Sequence, residues 1–170
     1  ALPISDFLPV LKDLLDKKQV NLSGCPRTRE IIAADPATED DWGTEYLDYM
    51  LSIKVVGDVD EAINHINHFG SGHTDSIITS SNDNAARFMD LVDSGNVFWN
   101  CSTRFSDGFR YGFGAEVGIS TNKIHARGPV GLEGLVIYKY KLIGNGHIVA
   151  EYSNREKTFK HKKLDKEFPL

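Results

Sequence analysis

The fold is decided by residues 51–100, which read LSIKVVGDVDEAINHINHFGSGHTDSIITSSNDNAARFMDLVDSGNVFWN. In this stretch, short runs rich in β-branched and aromatic residues alternate with segments whose apolar residues recur at helical spacing. The predicted elements are strands at 51–56, 76–79 and 96–100 and helices at 59–69 and 82–92. Strands that alternate with helices of this length are joined by right-handed crossovers and pair in parallel. The sequence therefore predicts an α/β fold with a mainly parallel sheet flanked by helices.

The segment before this stretch predicts two more helices. Apolar residues from Phe7 to Leu15 have the spacing of an amphipathic helix, for which Ser5 is the expected N-cap. Cys25 and Pro26 open a second, shorter helix, because the first turn of a helix accommodates proline. Asn82 is likewise the expected N-cap of the helix in the second half of the central stretch.

Towards the C-terminus, the pattern changes from helical spacing to alternation. Apolar and basic residues alternate over 136–142, and Gly144-Asn145-Gly146 can turn the chain into 147–152. This pattern predicts a β-hairpin at 135–152. Since a two-stranded ribbon is only marginally stable in water, we expect it to pack on another sheet or another subunit. The basic tail that follows is expected to be solvated or loosely docked.

Composition limits the class of protein. The chain has 170 residues, of which 41% are apolar and 25% charged, so we expect one domain with a proper core rather than a disordered chain. The net charge of −5 argues against a nucleic-acid partner, since such proteins present a basic surface. No apolar run approaches the roughly 20 residues of a membrane helix, and two cysteines are too few for a disulfide framework. We therefore expect a cytoplasmic protein without a nucleic-acid or membrane partner.

Two motifs are weak candidates for ligand sites. In residues 112–118, GFGAEVG, the third glycine is one position late for a dinucleotide-binding fingerprint, so we interpret them as a loop with tight turns. His65, His68 and His73 have metal-like spacing, yet no cysteine or carboxylate is placed to complete a metal site. We interpret His65 and His68 as part of a solvated helix face. His73 lies outside the helix and could orient a neighbouring ligand group.

Neither cysteine is a strong candidate for a nucleophile. Cys101 follows a predicted strand and lies near Arg104, which could stabilise a thiolate. No histidine is close to it in sequence, and free cysteines are more often buried packing residues. Cys25 is the weaker candidate of the two. A free-standing thiol enzyme that uses Cys101 remains one alternative function.

The loop after the third predicted strand is the best candidate site. It reads NCSTRFSDG over residues 100–108, and ligands of parallel sheets bind beyond the carboxyl ends of the strands. The guanidinium of Arg104, the hydroxyls of Ser102 and Thr103 and the flexible backbone suit a carboxylate or a phosphoryl group. The alternative is an ordinary polar loop in which Arg104 pairs with Asp107, and the residues alone do not decide between the two.

Four stretches of the chain resemble a known enzyme family. They are 71–75 (SGHTD), 100–108 (NCSTRFSDG), 114–121 (GAEVGIST) and 124–134 (IHARGPVGLEG). With them, nearly the whole chain resembles the glutamate-5-semialdehyde dehydrogenases, also called gamma-glutamyl phosphate reductases. The resemblance implies an aldehyde-dehydrogenase-like fold with a Rossmann-type NADPH domain, a catalytic α/β domain and an oligomerisation flap. It also implies NADPH-dependent reduction of L-glutamyl 5-phosphate to glutamate 5-semialdehyde and phosphate in proline biosynthesis, through a cysteine thioester that hydride reduces.

The resemblance further implies which residues form the site. The family's nucleophilic cysteine and its cofactor domain are expected upstream of Ala1, so no catalytic residue and no metal ligand is assigned in this chain. Glu45 aligns with the glutamate that accepts hydrogen bonds from the ribose next to nicotinamide. Composition alone would instead place Glu45 in an acidic surface run. The residues expected to bind the acyl phosphate substrate are Asn100, Ser102, Thr103 and Arg104.

The expected arrangement is a catalytic segment at 1–120, a connection at 121–134, an oligomerisation hairpin at 135–152 and a tail at 153–170. In the connection, His125 and Arg127 are expected to fix the return of the chain. We expect a homo-oligomer formed through the hairpin, and no activity from this chain alone. A module that only interacts through the hairpin is the second alternative. If the parent were a bifunctional synthetase, a mitochondrial location would replace the cytoplasmic one.

Overall fold

The computed structural model describes residues 3–163 and residue 165. The chain divides into two units, of which the first ends at Val136 and the second begins at Ile137. None of the helices in the described residues is long and apolar enough to cross a lipid bilayer. The expected boundaries at residues 120, 134 and 152 concern roles in the enzyme, and they stay predictions.

The first unit alternates helices and strands. In chain order, its described elements are α1 (Ile4–Asp16), β1 (Asn21–Gly24), α2 (Pro26–Ile31), β2 (Asp35–Pro36), β3 (Met50–Ile53), α3 (Val59–Phe69), β4 (Thr74–Ile77), α4 (Asn82–Leu91), β5 (Asn96–Trp99), β6 (Gly118–Ser120) and β7 (Gly128–Val130). Short 3₁₀ turns lie at Asp40–Gly43, Thr103–Phe105 and Leu132–Leu135. The predicted α/β class is confirmed.

The parallel strands form two sheets instead of one. The first has the order β2-β1-β3, and the second pairs β4 with β5; all of these pairs are parallel. Leu8 of α1, Leu22 of β1 and Ile32 after α2 are buried together against the first sheet. Ile63 of α3 and Phe88 of α4 form a second buried cluster, with Val97 of β5 packed against it. Each sheet thus has its own core, because the helices that flank it bury the apolar side of their 3.6-residue pattern there.

Helix starts differ from the predictions at two positions. Pro3, rather than Ser5, is the N-cap of α1, and Ser5 lies inside the helix. Ser81, rather than Asn82, caps α4, since its Oγ accepts the amide hydrogen of Asn84 at 3.2 Å. At α4, the cap residue keeps an extended backbone while its side chain reaches back to the first turn, and the neighbouring polar residues Ser81 and Asn82 compete for that place; Pro3 caps α1 without a side-chain hydrogen bond. The start of α2 at Pro26 is as predicted.

The structure corrects the position of the antiparallel pair. β6 pairs with β7 in antiparallel register, from Gly118 opposite Val130 to Ser120 opposite Gly128. In the described part of the second unit, residues 137–148 contain no strand, and residues 149–153 form the helix α5 (Val149–Ser153). A lone ribbon of two strands buries too little to be stable in water, so this alternating segment does not pair within its own unit.

The second unit is held by local contacts. The ring of Tyr152 in α5 stacks on Phe159 with centroids 4.7 Å apart, and Phe159 stacks on His161 at 5.4 Å. Lys157 Nζ donates to the carboxylate of Glu151 at 2.8 Å. Tyr152 thus lies in α5, and these contacts connect it to the residues that follow rather than to the second strand of a hairpin.

Candidate functional site

A cleft of about 720 Å³ lies in the first unit. It is lined by residues from four places: 42–45, the connection from α3 to β4 at 69–74, the loop at 103–110, and Thr121. A cleft of this size is typical of sites for small organic ligands. Three of the four sequence stretches that resemble the reductase family, at 71–75, 100–108 and 114–121, contribute to this one cleft.

The loop after β5 runs back along the strands. The Oγ of Ser76 in β4 donates to the carbonyl oxygen of Cys101 at 3.0 Å. Farther on, the hydroxyl of Tyr111 donates to Oδ1 of Asn96, the first residue of β5, at 2.6 Å. The loop therefore returns to the N-terminal ends of β4 and β5, where Asn96 pairs with Thr74. The cleft is not confined to the carboxyl ends of the strands, where the sequence reasoning placed it.

Arg104 is exposed and lines the cleft. Asp107, its expected alternative partner, is instead paired with Arg110, whose Nη1 lies 3.2 Å from Asp107 Oδ2. The same Nη1 donates to the carbonyl oxygen of Arg104 at 2.6 Å. Within the described part of the chain, the Arg104 guanidinium itself forms no hydrogen bond or ion pair, so it is available to an anion.

The four residues predicted to bind the substrate divide into two pairs. Thr103 and Arg104 line the cleft. The side-chain amide of Asn100 donates to the carbonyl oxygen of Thr79 at 2.8 Å and accepts from its backbone amide at 2.9 Å. Ser102 Oγ accepts from the backbone amide of Arg104 at 3.2 Å. Asn100 and Ser102 therefore use their polar atoms to shape the loop.

Close packing also shapes this loop. The backbone amide of Gly108 donates to Glu116 Oε2 at 2.7 Å. A Cβ at Gly108 would lie 2.4 Å from the carbonyl oxygen of Ala115, so no larger residue fits without movement of the backbone. Gly112 and Gly114 adopt φ of +81° and +71°, as expected for a loop with tight turns rather than a nucleotide fingerprint.

Glu45, the predicted cofactor ligand, lines the same cleft. The next residue, Tyr46, donates its hydroxyl hydrogen to Asp41 and lies 2.6 Å from Ser52 Oγ. Thr38 donates to Asp41 Oδ2 from its amide at 2.6 Å and from its hydroxyl at 2.8 Å. The bond from Tyr46, followed by those from Thr38, lowers the pKa of Asp41, and the same Asp41 raises the pKa of Tyr46. A charged Asp41 thus anchors the backbone beside Glu45.

His65 packs against two residues of the cleft wall, Trp42 and Phe69. Its ring centroid lies 5.5 Å from that of Trp42 and 4.8 Å from that of Phe69. Its Nδ1 is 3.1 Å from Lys54 Nζ. Burial, and then the positive charge of Lys54, lowers the pKa of His65. His65 is thus half-buried rather than fully solvated, whereas His68 is exposed as expected.

The two cysteines lie outside the cleft lining. Cys25 is buried, with its Sγ 3.3 Å from Thr28 Oγ1 and accepting from the Val55 amide at 3.4 Å. Burial raises its pKa, but these hydrogen bonds outweigh that effect and leave the pKa below its ordinary value. Cys101 is half-buried. In the part of the chain that the structure describes, no group of three or more potential metal ligands is clustered.

Arg127 ties the entry of β7 to the end of α4. Its Nη1 donates to Asp93 Oδ1 at 2.8 Å and its Nη2 to the Asp93 carbonyl oxygen at 2.7 Å. Lys123 binds the other carboxylate oxygen of Asp93. The two cations, Lys123 first, lower the pKa of Asp93. His125 Nε2 lies 3.3 Å from the carbonyl oxygen of Gly134, so both residues hold the returning chain.

Several polar residues of the cleft were not assigned to the binding site from the sequence, among them His73, which was expected only to orient a ligand group, and Arg110. Arg110 lies just beyond the quoted motif and gave no signal of its own. His73 lies in the SGHTD stretch, which the family resemblance singled out, but the sequence did not show that this stretch meets Arg104.

The chain is similar to known proteins over most of its length. The profile of the aldehyde dehydrogenase family matches residues 42–118. Gamma-glutamyl phosphate reductases from Acetivibrio thermocellus and Pelotomaculum thermopropionicum are both 74% identical to it, over 163 and 164 residues, which is 96% of this chain. The crystal structure of gamma-glutamyl phosphate reductase from Thermotoga maritima is 52% identical and superposes with a TM-score of 0.82, covering 85% of this chain and 35% of that one.

The chain spans about 38% of the length of these curated relatives. The agreement in sequence and in three-dimensional structure leads to one conclusion. Over 96% of its length the chain matches one portion of the gamma-glutamyl phosphate reductases, and its residues 42–118 match the aldehyde dehydrogenase family.

Proposed function

We propose that this chain forms the substrate-facing part of a reductase that converts L-glutamyl 5-phosphate to L-glutamate 5-semialdehyde and phosphate. The observation that supports this best is the Arg104 guanidinium, which no partner among the described residues occupies, beside Thr103 in a cleft of about 720 Å³. The activity is proposed for the reductase as a whole, since this chain matches only part of its relatives' length.

Recognition of the substrate depends on charge. Glutamyl phosphate has two anionic groups, a phosphoryl group and an α-carboxylate, and a guanidinium donates two parallel hydrogen bonds to either. Arg110 neutralises Asp107 and thereby removes a carboxylate that would compete for Arg104. Asn100 and Ser102 support this site by holding the loop backbone through Thr79 and Arg104.

Glu45 is the proposed contact to the cofactor, NADPH, which supplies hydride when bound. The residues present fit such a group: Glu45 lines the cleft, and within the described residues no donor occupies its carboxylate. A carboxylate accepts hydrogen bonds from paired ribose hydroxyls. The bonds from Tyr46 and Thr38 to Asp41 hold the segment that presents Glu45.

The nucleophile of the reaction is not assigned to this chain. Cys25 is buried and bonded to Thr28 and Val55, and Cys101 lies outside the cleft lining. We therefore expect the purified chain to show no reductase activity by itself.

A chimeric enzyme tests the proposal. The 163 matching residues of the Acetivibrio thermocellus reductase are replaced by those of this chain, and NADPH formation from glutamate 5-semialdehyde, phosphate and NADP⁺ is followed. We expect an active enzyme in which Arg104→Ala lowers kcat/KM. The corresponding rise in activation free energy should be about 2–4 kcal/mol, the range for loss of one charged contact in a catalytic site.

The matched control is Arg29→Ala, an exposed arginine of α2 away from the cleft lining, which is expected to leave kcat/KM unchanged. An inactive chimera that is folded, or equal kcat/KM for the Arg104→Ala variant and its parent, would contradict the proposal.

A homo-oligomer formed through residues 135–152 is proposed in addition. Its support is the exposure of large apolar side chains in this segment, such as Ile137 at 90% and Tyr140 at 88%. Exposed apolar patches of this kind mark interaction surfaces. Sedimentation of the chain against a variant with both residues changed to serine tests it, and equal molar mass of the two at all concentrations would contradict it.

A further inference from the structure

His73 is the first residue of a chain of partly buried hydrogen bonds that the proposed function does not use. Its Nδ1 lies 2.6 Å from Thr74 Oγ1. Thr74 Oγ1 accepts from Asn96 Nδ2 at 3.3 Å, and the same Nδ2 donates to the His73 carbonyl oxygen at 3.1 Å. Tyr111 donates to Asn96 Oδ1 at 2.6 Å. Both His73 and Thr74 line the cleft that contains Arg104.

The hydrogen-bond directions in this chain follow from one group that can only accept. The backbone carbonyl of His73 accepts, so the Asn96 atom that faces it is the NH₂ group, and Oδ1 is left to accept from Tyr111. Burial raises the pKa of Tyr111 and keeps its hydroxyl a donor. Thr74 Oγ1 already accepts from Asn96, which leaves its own hydrogen for a bond to His73 Nδ1, 2.6 Å away.

With Thr74 as the donor to Nδ1, a neutral imidazole carries its proton on Nε2. The neighbouring bond of a histidine ring decides its tautomer in this way. In the part of the chain that the structure describes, Nε2 has no protein partner.

We propose that His73 is an anion-binding residue of the cleft, which donates an Nε2–H hydrogen bond to the phosphoryl or carboxylate group that Arg104 binds, and that Thr74, Asn96 and Tyr111 position this donor. This inference rests on the proposed function, because it concerns the same ligand. A hydrogen bond from a fixed neutral donor adds direction to the attraction of a flexible guanidinium, since its N–H points along one line.

The experiment uses the 15N-labelled chain and inorganic phosphate as the probe. Long-range 1H–15N correlation spectra separate the two tautomers of each of the six histidines, and the His73 signals are assigned from their loss in His73→Phe. We expect His73 in the Nε2–H form, a movement of its Nε2 resonance on addition of phosphate, and a rise of the Nδ1–H form in Tyr111→Phe.

Phosphate affinity is measured in parallel on folded variants, as judged by circular dichroism. His73→Phe keeps a ring but has no donor and should weaken binding about tenfold, whereas His73→Gln keeps an N–H near the place of Nε2 and should recover most of the loss. His147→Asn, in the second unit, is the control and should leave the affinity unchanged.

Each arm has an outcome that overturns the inference. The role of His73 is rejected if its ring is in the Nδ1–H form. It is also rejected if Arg104→Ala weakens phosphate binding while His73→Phe leaves the affinity, and phosphate leaves the His73 resonances, unchanged. Either result leaves the proposed function standing. Absence of phosphate binding to the parent chain rejects this inference, whereas the proposed function is rejected only by the chimera.

Discussion

Large apolar side chains differ in solvent exposure between the two units. In the first unit, Ile63 and Phe88 are 4% and 3% exposed, whereas Leu142 of the second unit is 98% exposed. The residues are of the same chemical class, but their spacing differs. A helical stripe of period 3.6 finds a sheet within its own unit, while an alternating strand needs another strand to pair with. The difference teaches that burial in this chain follows the availability of a partner element rather than hydrophobicity alone.

The largest expected effect is in the packed core. Phe88→Ala should lower the free energy of unfolding by about 3–5 kcal/mol, because it removes buried contacts and leaves a cavity beside Ile63 and Val97. Met89, the next residue of α4, is 44% exposed, and Met89→Ala should cost less than about 1 kcal/mol. Urea denaturation measures both, and equal costs would contradict the assignment of this core.

The next largest effect concerns two glycines, one closely packed and one with open space around it. Gly108→Ala should cost about 1–3 kcal/mol, since its Cβ would lie 2.4 Å from the Ala115 carbonyl oxygen and force the loop to move. At Gly118 in β6 a Cβ would meet nothing within 4 Å, so Gly118→Ala should change stability by less than about 0.5 kcal/mol. The same denaturation assay separates the pair, and a neutral Gly108→Ala would show that the loop is not closely packed.

A smaller effect depends on pH. The folded state lowers the pKa of Asp93 through Lys123 and Arg127, so this carboxylate stabilises the fold above its unfolded pKa and the stabilisation is lost as pH falls through its folded pKa. Asp93→Asn should therefore reduce stability at neutral pH, and the difference from the parent should shrink in acid. Unfolding at several pH values checks this. Asp13→Asn, which alters an exposed carboxylate of α1, is the control and should show no such convergence.

The smallest expected effect is in the second unit. Leu142→Ser should change the free energy of unfolding of the isolated chain by less than about 0.5 kcal/mol, because the side chain is already in contact with water. A cost comparable to that of Phe88→Ala, measured at a concentration where the chain is monomeric, would show that this segment is packed within the chain and would break the comparison.

Prediction from sequence succeeded where a signal is local. Pro26 marked a helix start, and the glycines at 112 and 114 marked turns, because each acts through its own backbone. It failed where neighbouring residues compete for one position, as at the cap of α4, and where an element depends on a distant partner, as for 136–152. The helical pattern predicted a solvated His65, because the contacts that partly bury it, with Trp42 and Lys54, come from other parts of the chain.

The candidate site shows the same limit. Arg104, Thr103 and Glu45 were named from sequence, and the structure brings all three to one cleft. The sequence did not show that Arg110 takes Asp107 away from Arg104, because spacing along a loop does not reveal which of two arginines a carboxylate meets. Their roles in binding stay predictions, for which the chimera is the test.

The amino-acid sequence by itself determined the resemblance to the reductases, the helices and strands of the central stretch at 51–100 and the parallel pairing of β4 with β5, since periodicity and contiguous motifs are properties of neighbouring residues. Tertiary structure alone decided that the loop after β5 returns along the sheet and brings Thr103 and Arg104 into one cleft with His73. It also decided which apolar segments are buried. The reason is physical: a hydrogen bond or a buried contact between distant residues forms only after the backbone has closed the loop between them, and no local pattern encodes that closure.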